Sequence, residues 1–524
     1  MNVFTIGILV SFAVYLLIGV IVGRKVKTVE DYYVAGRRAP VILIVGSLVA
    51  SYTSTGAFLG DAGEMYSGGF MVIVVVATMQ VVGYVYGGLL FGRYLRRSRA
   101  LTVPEFFGNR FNSRRLRCLA GVTTIIAVCA YLLSVMQGVS TLMATVTGID
   151  YQICVVIAWL TFTVFTVVSG SRGVLITDTL MFLIFTSMAV VGALFIASAA
   201  GGWLPAMENL ASMPESIIGW GGSDTYLYGN GAENFIWAIV YGIVWMLVIM
   251  VSPWQSSRYL MAKNEHVVLR SSVWAAIGVC AVEIIVGFAA IFVYTINPGL
   301  EDGTTVLIWA AMNVMPTFVG VLMLTGILAA GISSGSTFLS LVGFSAVNDI
   351  AEQTSDKNKL PLTRIAMVVA GLVVLALAFF NPPAIFWIMY FGSTVLACSW
   401  GPVAIASIWS KKVSERGAFW GMLLGFAGCF VTKLYTQMNG ITLPIYLDPF
   451  FIGVALCVAA LVVGSLTSKP SKAESDYLAM IRTVPEDEKR PADIAITKRT
   501  GYIAIAFGVV LAAGLIFGYS LIVI

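Results

Sequence analysis

Apolar runs of about twenty residues recur along this chain, separated by short polar stretches. They begin near residues 4, 41, 70, 118, 151, 178, 234, 273, 317, 362, 385, 417, 448 and 500. As a helix, each is long enough to cross a hydrocarbon core of about 30 Å. The pattern predicts an all-α integral membrane protein of about fourteen transmembrane helices. Thr304 to Met315, closed by Pro316, is too short to cross and reads as a re-entrant or surface helix.

Two of the runs are interrupted. Leu328-Ala-Ala-Gly-Ile-Ser-Ser-Gly-Ser-Thr337 holds four hydroxyls and two glycines. Ala330, Ser333 and Ser334 are spaced i, i+3, i+4 and share one helical face. Two hydroxyls and a freed carbonyl on that face make half of an oxygen cage for a hard cation, and the absence of a carboxylate favours a monovalent one. Ser47-Leu-Val-Ala-Ser-Tyr-Thr-Ser-Thr-Gly-Ala-Phe-Leu-Gly60 is the natural other half. If it unwinds between Ala50 and Gly56, the carbonyls of Ala50 and Thr53 lose their helical partners and can face an ion. Non-helical backbone at membrane depth is tolerated only where protein buries it or it lines a cavity. Small and hydroxyl residues also serve as packing glue between membrane helices, so the pattern alone supports both readings.

Composition agrees: 59% of the 524 residues are hydrophobic and 11% charged, which excludes a soluble protein. Alternate loops, at 24–40, 93–117, 170–178, 253–272, 346–364, 410–416 and 467–499, carry 30 of the 31 basic residues; Lys433 is the exception. By the positive-inside rule these loops are cytoplasmic and both termini lie outside a plasma (inner) membrane. The outer loop 200–233 is acidic, with Glu208, Glu215, Asp224 and Glu233, and reads as a solvated connection or the cap of an external vestibule. Residues 469–499 read as a mixed-charge linker before a last, separate span. The seven cysteines stand singly in apolar runs and read as small buried hydrophobes. The single histidine, His266, reads as a solvated loop residue.

Spans two to six and seven to eleven can form two five-helix halves of opposite orientation, since five is odd. The seventh, with Gly242 inside it and Met250-Val-Ser-Pro-Trp254 at its end, then corresponds to the interrupted second. Paired interruptions in matching spans point to a binding site.

Several segments, taken in order, resemble the sodium:solute symporter family. They are Glu30-Asp-Tyr-Tyr-Val-Ala-Gly-Arg37, the Ala50–Gly60 break, Thr102-Val-Pro-Glu-Phe-Phe-Gly-Asn-Arg-Phe111, Gly173-Val-Leu-Ile-Thr-Asp178, Pro253 to Lys263, and the Ala330–Ser334 face closing at Asn348-Asp-Ile350. The resemblance implies a leucine-transporter-type core of two inverted five-helix repeats, roughly 41–200 and 234–410. Around it stand a first helix and loop (1–40), two accessory helices (411–468), the linker (469–499) and a last helix (500–524). It implies Na+ as coupling ion, bound by the carbonyls of Ala50, Thr53 and Ala330 and the hydroxyls of Ser333 and Ser334. For the solute it implies Ser54, Thr55, Tyr131 and Trp245. Tyr52 stands where proline carriers have an acid, Met181 where a Gln is usual, and Trp245 where sugar carriers use an asparagine. These departures disfavour proline and sugars.

Two acids stand apart. Glu283 lies mid-span, where a carboxylate is expensive and should face the bundle interior; it suits a cationic substrate, a proton, or a buried neutral acid. Asp178 opens the sixth span, as a helix-dipole partner or, by resemblance, an influence on sodium release. The expected activity is sodium-coupled symport of a monocarboxylate, an amino acid or a pantothenate-like acid. A proton-coupled or uncoupled carrier is the alternative, and a sensor on a transporter scaffold a more distant one. No catalytic set, metal cluster or phosphate loop suggests an enzyme. The expected partners are the solute and the lipid bilayer; nucleic acid is not among them, and a monomer can suffice.

Overall fold

A computed structural model describes residues 3–23, 28–212, 219, 231–351, 356–380, 385–441 and 443–523. Fourteen long helices dominate them: α1 (Val3–Gly23), α2 (Val41–Thr55), α3 (Phe70–Tyr86), α4 (Arg114–Thr147), α5 (Tyr151–Ser171), α6 (Gly173–Ala199), α7 (Gly231–Val251), α8 (Glu265–Ile296), α9 (Thr317–Phe344), α10 (Asp356–Phe380), α11 (Ile385–Trp409), α12 (Glu415–Asn439), α13 (Pro449–Leu466) and α14 (Pro491–Val523). Among the described residues twelve continuous segments are apolar and long enough to cross a membrane, and α1 is a further apolar helix of 21 residues. One of the twelve, Val41–Ser98, has 58 residues. Straight, it would span about 87 Å at 1.5 Å per residue, so it holds two crossings. Gly68, at φ 107, breaks it between α2 and α3. Gly170, at φ 57 and ψ −180, likewise separates α5 from α6, and the Tyr32 ring fills the space that a side chain there would need.

The broken helix α2 sits at the centre, against α6, α8 and α9. Small residues permit the close approach. A Cβ on Gly46 would lie 2.8 Å from the Thr179 Cα on α6, a contact that backbone cannot relieve. Such contacts replace the hydrophobic drive that lipid does not provide. On the other side α7 packs on α3 and α11. Helices α12 and α13 pair with each other and lean on α11, while α14 is the most lipid-exposed of the later helices.

The basic loops meet at one end of the bundle. Arg37 donates to the carbonyls of Arg99 and Ala100, and Arg96 to that of Lys263. Arg97 reaches Glu265 and the carbonyls of Ile481 and Arg482. Arg110 is buried, donating to the carbonyls of Ser407 at 2.6 Å and Glu474 at 3.2 Å. Burial pulls its pKa down to about 10, which leaves it charged at neutral pH.

Two sequence expectations change here. The 469–499 linker contains a helix, Lys472–Arg482, opened by a capping box and docked through buried Leu478 and Ile481. His266 is not a solvated loop residue either, because the stretch after this helix covers it at Glu488 and Thr497. It is buried in the first turn of α8, and its ring nitrogens lie 3.0 Å from Thr497 Oγ1 and 2.8 Å from the Glu488 carbonyl. The expected short helix near 304–315 is Val306–Asn313, with one face buried on the bundle. In the 200–233 loop, Trp203–Ala211 is helical, while 213–218 and 220–230 fall outside the described residues.

Gly46→Leu forces α2 from α6 and is expected to cost about 1–3 kcal/mol, as overpacking does. The measurement is the unfolding midpoint in detergent, with Gly501→Leu, on open α14 surface, unchanged.

Candidate ion and solute site

Helix α2 breaks at one residue. Ser54 has φ 33 and ψ −174, a left-handed conformation that costs a non-glycine residue about 1–3 kcal/mol. Part of that cost is offset locally, because the Gly56 N–H donates to Ser54 Oγ at 2.9 Å, so Ser54 caps the downstream half. Upstream, the Ala50 and Thr53 carbonyls take partners outside the regular ladder. Ser334 Oγ on α9 donates to the Ala50 carbonyl at 3.1 Å, and Gly56 N–H turns back to that of Thr53. Ala50, Thr53, Ala330, Ser333 and Ser334 are all buried. The break and the hydroxyl face, 284 residues apart in sequence, are therefore in direct contact.

Beneath this contact lies a buried polar network. Ser333 Oγ donates to Asp178 Oδ1 at 2.7 Å, and Ser47 Oγ donates to Asp178 Oδ2 at 2.5 Å. Arg258 closes it, 3.2 Å from Asp178 Oδ2, 2.9 Å from Ser47 Oγ and 2.5 Å from Thr337 Oγ1. Both charged groups are essentially inaccessible. Asp178 thus serves side chains of three other elements and not the dipole of its own helix. Because Ser333 spends its proton on Asp178, its lone pairs stay free to accept a cation. Thr337 is taken by Arg258, and Ser336 Oγ donates to the Ser333 carbonyl at 2.8 Å. Arg258 rides on Pro253–Met261, the segment that follows the α7 break at Ser252. The second interruption is therefore at the end of α7, and Gly242 lies within continuous helix.

Near Ser54 lies a buried aromatic cluster. Tyr131 and Trp245 have ring centroids 6.4 Å apart, and Tyr52 meets Trp245 edge-on at 5.5 Å. Tyr131 also packs on Trp254 and Phe338. Thr55 is wedged between Gly138 and Gly331, with its hydroxyl 3.4 Å from the Val135 carbonyl. Glu283 is buried beside the Tyr52 hydroxyl. Four participants escaped the sequence reading: Ser47, Gln80, Asp61 and Tyr241. Gln80 and Asp61 carried a usable signal, being isolated polar groups inside apolar runs.

Broken α2, the broken α7 segment and hydroxyl-faced α9 define a secondary carrier of the inverted-repeat class. A solved, substrate-bound, outward-open structure of a Na+-coupled sialic acid symporter superposes with TM-score 0.75 at 17% identity, covering 90% of this chain and 99% of that one. A nucleobase-cation-symport-1 family transporter in a closed conformation gives TM-score 0.59 at 13% identity, covering 86% and 98%. The sequence profile of the sodium:solute symporter family matches residues 32–425, and the chain belongs to that family. The sodium/proline symporter of Salmonella typhimurium is 24% identical over 456 residues, 82% of this chain and 88% of that one. The sodium/pantothenate symporter of Escherichia coli is 23% identical over 407 residues, 76% and 83%. The protein is a multi-pass membrane transporter that couples sodium to a small solute, and not an enzyme.

Asp178→Ala strands the buried Arg258 charge, an expected loss of about 3–5 kcal/mol. Adding Arg258→Met should restore much of the stability, measured as unfolding midpoints in a double-mutant cycle.

Proposed function

We propose that sodium binds between α2 and α9, held by the carbonyls of Ala50, Thr53 and Ala330 and the hydroxyls of Ser333 and Ser334. The observation that carries this reading is the 3.1 Å link from Ser334 Oγ to the Ala50 carbonyl, with Ser333 oriented from behind by Asp178. A cation entering between the helices takes both oxygens of the link, and the Ser334 hydroxyl turns its proton away. Asp178 acts by orienting Ser333, and its charge is balanced by Arg258. The ion therefore meets a dipolar cage and not a strong anionic trap, which lets it leave.

The solute sits on the far side of Ser54, against Tyr131 and Trp245, with Ser54 and Thr55 shaping the break; Glu283 borders it. The candidates are amino acids, monocarboxylates and pantothenate-like acids, and the proline and pantothenate relatives favour the acid-bearing classes. The core comprises 41–200 and 234–410, flanked by 1–40, 411–468, 469–499 and 500–524 as the sequence divides them. One chain is a sufficient unit, with both termini outside and the basic loops in the cytoplasm.

Energetics suit this scheme. One charge moving inward through 100 mV releases about 2.3 kcal/mol, and a tenfold sodium gradient adds about 1.4 kcal/mol. One sodium ion can then concentrate a neutral solute on the order of several hundred-fold. Ion and solute touch opposite sides of one break, so each tightens the other by the same factor.

NaCl in place of KCl at equal ionic strength should raise the unfolding midpoint of the wild type and not of Ser333→Ala/Ser334→Ala. Equal midpoints in the two salts would sink the cage. For orientation, single cysteines at exposed Tyr446 and Lys472, in a chain without its own cysteines, should react with an impermeant thiol reagent from outside and inside respectively. The reverse result would invert the topology.

A further inference from the structure

We propose that the solute carries a positively charged amino or ammonium group, received by Glu283 and Asp61 beside the buried aromatic cluster. This rests on the symport reading and narrows its solute class.

Glu283 is 1% exposed and Asp61 5% exposed, and the two lie close enough to feel each other's charge. Neither forms an ion pair among the described residues. Neither carboxyl oxygen of Glu283 completes a hydrogen bond, although the Tyr52 hydroxyl stands beside it. That hydroxyl already accepts from Gln80 Nε2, and Gln80 Oε1 is itself buried without a partner. The Tyr241 hydroxyl and Trp245 Nε1 are likewise buried and unpartnered. Buried polar groups are normally satisfied, so a cluster of orphans marks a place completed by something else. A cationic group would supply what this cluster lacks. Two uncompensated acids in a membrane interior are expensive, and an opposite charge removes that cost.

The protein's own cations are committed elsewhere. Arg258 is bound to Asp178 below the break. Lys433 sits 4.0 Å above the Tyr390 ring and bonds Thr394 Oγ1 at 3.3 Å. The walls favour an organic cation over a second sodium. Tyr52, Trp245 and Tyr241 surround the acids with aromatic rings, which attract ammonium groups.

The test uses purified full-length protein and three four-carbon probes: butylammonium, butyrate and 4-aminobutyrate. In NaCl, butylammonium and 4-aminobutyrate should raise the unfolding midpoint and butyrate should not. Glu283→Gln should weaken the ammonium response at least tenfold while leaving the shift caused by sodium itself intact, and Glu283→Asp should retain part of the ammonium response. Three results would each overturn the proposal. One is a response to butyrate alone or to no ammonium probe. Another is an ammonium response unchanged in both Glu283→Gln and Asp61→Asn. The last is loss of the sodium shift in Glu283→Gln, which would make the cluster an ion site. Absence of any sodium shift in the wild type would instead count against the Ala50–Ser334 cage, and the ammonium series would still be read in KCl.

Discussion

Hydrocarbon offers no hydrogen-bond partner to a peptide group, and the core of this protein is arranged around the one place where that constraint bites hardest. At Ser54 the backbone of α2 leaves the helix, and its freed carbonyls need protein or ligand oxygen and nitrogen around them. Helix α9 meets that need from one side with hydroxyls, while Ser54 caps the downstream half with its own side chain. The close contact of Gly46 with Thr179, and of Gly138 and Gly331 with Thr55, brings neighbouring helices near enough to enclose the break. A site for ion and solute is the functional use of backbone that cannot be left bare.

Charge is distributed unevenly about the break. Toward the basic loops, Asp178 and Arg258 neutralise each other and join four elements through Ser47, Ser333 and Thr337. Elsewhere about the break, Asp61 and Glu283 lie among aromatic rings, with no ion-pair partner among the described residues. The first arrangement fixes the Ser333 hydroxyl without adding net charge. One broken helix thus borders a charge-balanced polar network and, separately, two buried acids that form no ion pair among the described residues.

The end of the bundle that carries the basic loops is also its most heavily tied surface. Arginines at 37, 96, 97 and 110 hold carbonyls of segments far apart in sequence, and Lys472–Arg482 is clamped over them. Arg258 extends this stitching to the base of the ion cage. Any rearrangement that separates α2 from α9 at this end must loosen Arg258 from Ser47, Asp178 or Thr337.

The sequence alone determined the number and order of the spans, because a membrane helix is recognised by length and polarity and needs no partner to be legible. It also singled out the hydroxyl face at Ala330–Ser334 and the Ala50–Gly56 interruption, since hydroxyls and glycines clustered in an apolar run are a local signal. The motifs pointed to the family for the same local reason. Tertiary structure alone decided which residue carries the break and that Asp178 answers to Arg258 and not to its helix dipole. It likewise placed His266 against Glu488 and Thr497 and gathered Gln80, Asp61 and Glu283 around Tyr52. Those facts are contacts between helices up to hundreds of residues apart. Burial and pairing of a charge are properties of the assembled bundle, and no spacing rule along one helix encodes them.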